Sequence, residues 1–563
     1  MKDTKTYSLL FIFILLAFTV FRIYIGMKIP IWIDASAVHD DVWMVNAADF
    51  KTHFSSYNNL SLVKVMSYPL FLQIVNLLFI PYRLSIVILW IIAAALMTVF
   101  MRCLTKKPAA LIAVYVFVLY CPVAFTPLVG GKIYRNAIIA PSVFIFLALL
   151  LLLSFFIIYR SKKYRIGILL AVFAGISFLF FYYIKEDSIW ALPIFLITLG
   201  ISAVSVFVNK AGPISGKERT RYIVLALIPV LVFVIGTNSY KAVNYHYFGV
   251  YEVNTRTESA FADFSSRLFQ IYDENKTPRY WIPFSTFEKA WAVSPALQEH
   301  PELLEKLSRS KWGGGDFESN PIPRDHALWA FRSSLGAKGL FGSEEEKLHL
   351  LSVASAEIDE AFANGSLKKD TSRIYISRAT PGKTMGEIFD LGPMVLSGIK
   401  TAVFFRWYET QLGPYDNDLS NQYILSNYLL AEALIHDTFA TQEDFEQPDI
   451  RFALSAGTAV ITAYQSAAFV LFPLSIAGFI LLIIFAIRKT KGSSLFLLYL
   501  MPILALTAAA QIFSAAWFAE HIREMAMLGY TAGAVPVIQV FEILGVYTLV
   551  RFLYSKRTRK NQS

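Results

Sequence analysis

Tyr68-Pro-Leu-Phe-Leu-Gln-Ile-Val-Asn-Leu-Leu-Phe-Ile80 is an apolar run of 13 residues, and whether it crosses a bilayer decides the side on which every later loop lies. At 1.5 Å per residue a helix of that length covers only about 20 Å, short of the roughly 30 Å of a hydrocarbon core. It is read as a helix lying on the outer membrane surface. Ten longer apolar runs surround it, at 7–26, 84–102, 108–128, 136–159, 166–184, 189–208, 222–240, 456–487, 494–517 and 525–553. With the N-terminus cytoplasmic and 68–80 left out, the inner loops carry Arg102/Lys106/Lys107, Arg160/Lys162/Lys163/Arg165, Lys210/Lys217/Arg219/Arg221, Arg488/Lys489/Lys491 and the tail Lys556/Arg557/Arg559/Lys560. All are basic, as the positive-inside rule requires. A spanning 68–80 would put every one of these clusters outside.

The composition excludes a soluble multidomain protein. Of 563 residues 56% are hydrophobic and 16% charged, with a mean hydropathy of +0.51. Such values belong to a polytopic membrane chain. Cys103 and Cys121 lie in or beside apolar runs, so neither a disulfide framework nor a cysteine metal site is expected. The first run lacks a small-residue cleavage site and reads as a retained signal anchor. Lys241 to Arg451 holds 21 Lys+Arg against 30 Asp+Glu, whereas the rest of the chain holds 30 against 11. The basic excess therefore marks loops between spans, and nucleic acid is not the expected partner.

Three regions follow. Residues 1–240 form an N-terminal membrane module whose first outer loop is 27–83, residues 241–455 an extracytoplasmic domain, and residues 456–563 a C-terminal membrane module with a basic cytoplasmic tail. In the insertion, Ser343 followed by Glu344-Glu-Glu346 suits a helix N-terminus. The aromatic stretch Phe404-Phe-Arg-Trp-Tyr408 reads as a surface resting on the membrane interface.

Ionisable residues beside spans are costly unless used. The first loop carries Asp34, His39, Asp40 and Asp41, with Asp40 sharing a helical face with Trp43, Met44 and Ala47. Adjacent carboxylates serve as a general base or as oxygen ligands for a hard cation, though they also suit a solvated helix start. The tight turn Lys185-Glu-Asp-Ser188 follows the fifth span, where Asp187 or Ser188 would cap the next helix. Gly130-Gly-Lys-Ile-Tyr-Arg135 places Lys132 and Arg135 outside against the charge rule, either to clamp a phosphate or to snorkel to headgroups. His521 and Arg523 stand in the last outer loop. All of these groups converge on one membrane face.

This layout, with the acidic pair Asp40-Asp41 in the first outer loop, a surface helix after Leu62-Val-Lys-Val-Met-Ser-Tyr-Pro-Leu-Phe-Leu72, the Lys-Glu-Asp-Ser-Ile-Trp turn and an outward domain, resembles the GT-C superfamily of membrane glycosyltransferases. That superfamily includes protein O-mannosyltransferases and the aminoarabinose transferases that modify lipid A. The resemblance covers about 1–240 and 456–553. Many members carry Asp-Glu where this chain has Asp40-Asp41, and more often place their soluble domain at the C-terminus.

The resemblance implies a GT-C-like, all-α polytopic fold of about ten transmembrane helices with a mainly helical insertion. It also implies inverting transfer of a sugar from a polyprenyl-phosphate donor to an envelope glycan, lipid or protein acceptor at the outer face of the cell membrane. Asp40 then matches the base, and Asp41 and Glu186 the second acids, which would hold a divalent ion such as Mg or Mn. Lys132, Arg135, Lys185 and Arg523 become donor-phosphate ligands. A transporter or flippase of lipid-linked glycans is the alternative, for which internal repeats and midplane ionisable residues are the expected signs. A non-catalytic envelope scaffold is a third reading.

Overall fold

The computed structural model describes residues 2–33, 40–55, 61–208, 215–317, 320–336, 340–410, 433–434, 446–487, 494–519 and 526–560. Helices make up most of it. The strands among the described residues are two-residue pairs, Ile31–Trp32 parallel to Ala433–Leu434 and Lys311–Trp312 antiparallel to Gly315–Asp316. Among the described residues ten helices are long and apolar enough to cross a membrane: Leu9–Lys28, Tyr82–Leu104, Pro108–Phe125, Asn136–Ile158, Tyr164–Tyr182, Ser188–Val208, Gly216–Phe248, Pro448–Ile487, Phe496–Ala519 and Ala534–Tyr554. They are called spans one to ten below. The architecture is that of an all-α, multi-pass membrane protein.

Span four is hydrophobic all round, and 89% of its apolar window is buried. A helix of that kind belongs at the centre of a bundle, and spans two, five, six and ten pack against it. Spans eight and ten meet through glycine: a Cβ at Gly478 would stand 2.0 Å from the Gly545 carbonyl oxygen. Gly478→Ala is accordingly expected to force the helices apart and lower stability by about 1–3 kcal/mol. Gly200→Ala, whose Cβ meets nothing within 4 Å, serves as the control. Thermal unfolding in detergent checks the pair, and equal midpoints would contradict the close packing.

The helix Ser67–Leu77 has 11 residues and does not span. Tyr68, Phe71, Leu72 and Val75 are buried, while Leu70, Ile74, Leu77 and Leu78 form an exposed apolar stripe. Phe79, 80% exposed, ends it in the left-handed region at φ 53°. An apolar stripe opposite a packed face is the form of a helix seated at an interface.

Helix ends differ from the hydropathy boundaries. Span seven starts at a Ser215/Glu218 capping box and runs 33 residues to Gly249, at φ 73°. The helix therefore continues past 240, the end of the apolar run. Span eight has 40 residues, about 60 Å of helix or twice a hydrocarbon core, and starts at Pro448 because a polar turn extends it beyond the membrane part. The run 525–553 is broken into a short helix, Met527–Thr531, and span ten.

The insertion is mainly helical, and its core gathers Phe264, Phe287, Trp291, Phe331 and Leu351. Ser343 caps the helix Glu344–Asn364 by accepting from the Glu346 amide, as expected. The hairpin turn Gly313-Gly314 has φ of 59° and 76°, conformations that favour glycine at both positions. The helix Gly392–Phe404 leaves the insertion and packs on the bundle, with Gly398 against Ile512 and Met527. The following aromatic stretch packs in part on the bundle. Phe405 and Tyr408 are buried, and Phe405 lies 5.8 Å from the Tyr464 ring of span eight.

Candidate functional site

The connections after spans one, three, five, seven and nine meet at one end of the bundle. Backbone bonds lace the first three of these together. Trp32 N–H donates to Gly131 O at 3.0 Å, Ile133 N–H to Trp32 O at 2.8 Å, and Ser67 N–H to Tyr183 O at 3.1 Å. Thr255 N–H, from the insertion, donates to Leu62 O at 2.8 Å. These bonds tie the connections to one another at this end, which brings the polar residues beside them together.

Arg135 precedes span four, and Glu186 sits in the turn between spans five and six. They form an ion pair of 2.7 Å with side chains 8% and 11% exposed. Arg135 Nε also donates to the Tyr134 hydroxyl at 2.8 Å. Burial alone would raise the Glu186 carboxyl, but the charges of Arg135, Lys64 and Arg256 outweigh it and hold it at about 2. The group is a fixed anion at neutral pH and a poor base. Its Oε1 is buried with no hydrogen-bond partner among the described residues.

Lys185 is buried, donates to Gly529 O at 3.2 Å and stands 5.7 Å from the Tyr530 ring. Burial lowers its ammonium to about 8 against the opposing pull of Asp187. Tyr530 is pushed to about 12 by burial and by Asp325 and Asp187. Lys132 lies 4.7 Å from the Trp32 ring and 5.2 Å from the Tyr134 ring, distances at which ammonium and ring attract.

The insertion completes this face. Arg256 pairs with Asp325 at 2.7 Å. Both Arg256 and the buried Lys64 of the first loop stand 5.2 Å from the Trp329 ring. Sequence reasoning missed Lys64, Arg256, Asp325, Trp329 and Tyr530. Lys64 alone gave a signal, a lysine among apolar residues in Leu62-Val-Lys-Val-Met66. Arg256 and Asp325 gave none, being 69 residues apart.

Of the expected site residues, Lys132, Arg135, Lys185 and Glu186 stand on this one face. Arg135 is tied to Glu186, so it offers a ligand only the rest of its guanidinium. Asp40 and Asp41 open the helix Asp40–Ala47, while their side chains, like Asp34, His39, His521 and Arg523, lie outside the described residues. Asp187 caps nothing through its side chain; a 3-10 turn, Ser188–Ala191, precedes the helix Leu192–Val208. Among the described residues no group of three or more His, Cys, Asp or Glu is placed to hold a metal ion. No step below is routed through a metal.

The insertion also has a small cleft lined by Lys276, Trp281, Arg373, Lys383 and Glu387, among others. Lys276 donates to the carbonyls of Leu268, Phe269 and Ile271 at 2.7, 3.0 and 2.5 Å. Arg373 pairs with Asp370 and Glu387. Much of the charge in this cleft is thus met within the fold.

Compared with known proteins, the chain matches no family model, no curated protein and no solved structure.

Proposed function

We propose that the protein is an inverting membrane glycosyltransferase of the GT-C kind, which moves a sugar from a polyprenyl-phosphate donor to an envelope glycan, lipid or protein at the outer face of the cell membrane. One observation carries this reading: three cations, Lys64, Arg135 and Lys185, are buried at the bundle end that also bears the acidic first loop. Arg135 is paired with Glu186, and the cations together outnumber that carboxylate, a charge balance that favours an anionic ligand at this end. A phosphate arriving on its lipid would meet them at the depth where a polyprenyl chain enters the bilayer.

In this reading Asp40 takes the proton from the acceptor hydroxyl, and the leaving phosphate is met by Lys185, Lys132 and Lys64. Charge on the phosphate grows as its bond to the sugar breaks, so preorganised cations favour the transition state over the bound donor. Glu186 holds Arg135 in place and does not act as the base. A Mg or Mn ion on Asp41 and Glu186 belongs to the same proposal, and chelation followed by readdition tests it. The decisive experiment is transfer by the purified protein from a short-chain polyprenyl-phospho-sugar. Failure across a panel of donors and acceptors would remove the reading.

The transporter alternative gains from a different observation. Arg22 and Glu542 are buried within spans one and ten, whereas the sequence reading set all the charged groups at span ends. Movement of a lipid-linked sugar between leaflets of a sealed vesicle, without its consumption, would favour that alternative.

Lys185 gives a prediction with two opposed signs. Above pH of about 8 its ammonium loses the proton, so the donor KM is expected to rise through that pH. Stability should move the other way. Between about 8 and 10.5 the unfolded chain binds a proton that the folded chain does not, so stability rises with pH there and is level below 8. Lys185→Arg should carry the KM rise to higher pH, and steady-state transfer with donor varied checks both. A flat KM in the wild type would release Lys185 from the site.

A further inference from the structure

Gln539 and Glu542 stand one turn apart on span ten, 1% and 4% exposed. Neither heteroatom of the Gln539 amide has a hydrogen-bond partner among the described residues, and Glu542 Oε1 has none. No cation stands within ion-pair distance of Glu542 among them. One turn further on, Gly545 closes against Ser475 and Gly478 of span eight, so the helices leave no way past in that direction. The titratable groups within reach of the Glu542 charge are Cys121 of span three and Tyr464 of span eight. Tyr464 spends its hydroxyl on Phe117 O at 2.6 Å. Arg22 neighbours Cys121, but it donates to Leu119 O at 3.3 Å and lies over the Phe125 ring at 4.7 Å. An ionised carboxylate so enclosed would carry a large desolvation cost with nothing to offset it, so the acid is held neutral.

In the other direction the orphaned groups continue. Asn136 Oδ1 of span four and Gln511 Oε1 of span nine are buried without partners among the described residues. Their amide nitrogens abut the turn between spans nine and ten. A Cβ at Gly529 would stand 2.9 Å from Asn136 Nδ2, and one at Gly533 2.8 Å from Gln511 Nε2. Gln511 Nε2 donates to Tyr530 O at 3.2 Å, in the same turn whose Gly529 carbonyl takes Lys185. Four buried polar side chains thus stand between the candidate site and the middle of span ten, each with an oxygen that lacks a donor among the described residues. Buried water commonly satisfies groups of this kind, making about three hydrogen bonds.

We propose that Asn136, Gln511, Gln539 and Glu542 line a file of water leading inward from the Lys185 end of the bundle, and that Glu542 is its proton-binding terminus. The ligand is water and the proton it carries, and the proposal does not depend on the activity assigned above.

Infrared difference spectra of the full chain in nanodiscs, wild type against Glu542→Gln at pH 7, test it. The expected result is a protonated-carboxyl band present in the wild type, absent from the variant, and shifted within the mixing time on transfer to D₂O. Gln539→Leu should slow that shift at least tenfold. Absence of the band would mean an ionised Glu542, and a band unmoved for hours would mean a carboxyl sealed from water. Either overturns the proposal. Should Glu542→Gln fail to fold, the wild type is treated with an apolar carbodiimide, to which the acid adds across a C=N bond and rearranges to an N-acylurea with no leaving group. Peptide mass spectrometry should place the adduct on Glu542, and a chain unlabelled there would overturn the proposal equally.

Discussion

Arg135→Ala is expected to lower the stability of the protein by about 3–5 kcal/mol, whatever it does to activity. The substitution leaves the Glu186 carboxylate enclosed, with Oε2 stripped of its 2.7 Å partner and Oε1 already without one. Breaking a buried pair from one side costs about 3–5 kcal/mol, a large part of the net stability of a typical fold. Lys64 and Arg256 also act on Glu186 and would soften the loss. Removing both charges, in Arg135→Met with Glu186→Leu, should recover most of it, because the pair's attraction and its desolvation nearly cancel. Thermal unfolding of the two single variants and the double variant in detergent gives the coupling. A single variant within about 0.5 kcal/mol of the wild type would show a pair too hydrated to matter. Acid supplies an independent test. The Glu186 carboxyl is at about 2 in the fold against an ordinary 4.5, so its contribution is complete above 4.5 and is lost as pH falls from there towards 2.

The ten spans were legible because an apolar helix in a bilayer must show its hydrophobicity over nearly every residue. The short run at 68–80 was legible for the same reason, its length ruling out a crossing. What hydropathy could not show is where a helix continues after it leaves the apolar zone. Span seven runs on to Phe248, and span eight begins at Pro448. Composition also cannot separate an aromatic stretch at an interface from one packed inside, and Phe404 to Tyr408 went in part to the bundle. The candidate site was legible where a charge violated a rule, as Lys132 and Arg135 do, or where a turn was too tight to drift, as at Lys185-Glu186. It was not legible where partners are brought together by the fold alone. Lys185 meets a carbonyl 344 residues away, and Arg256 meets Asp325. Glu542 was hidden for the opposite reason: one acid does little to the mean hydropathy of a span.

Asp40→Asn should lower transfer by about 10² or more while leaving donor binding intact, because the amide keeps the carboxylate's shape but cannot take a proton. Asp40 is the first residue of the helix Asp40–Ala47. A base so placed works only if the acceptor hydroxyl is held against it and its proton is lost in the transition state, so the effect should fall on kcat, with the donor KM unchanged. Asp41→Asn separates the alternatives. If Asp41 is the base, its variant takes the larger loss and Asp40→Asn becomes mild. If the two acids share a cation, both variants lose activity together and added Mg or Mn restores part of it. If the pair only starts a helix, both variants transfer at near wild-type rates, and a modest drop in unfolding temperature, about 0.3–1 kcal/mol of dipole stabilisation, is all that is seen. Donor binding measured apart from turnover, by retention of a labelled polyprenyl-phospho-sugar on the purified protein, keeps a failure of catalysis distinct from a failure of the cationic site.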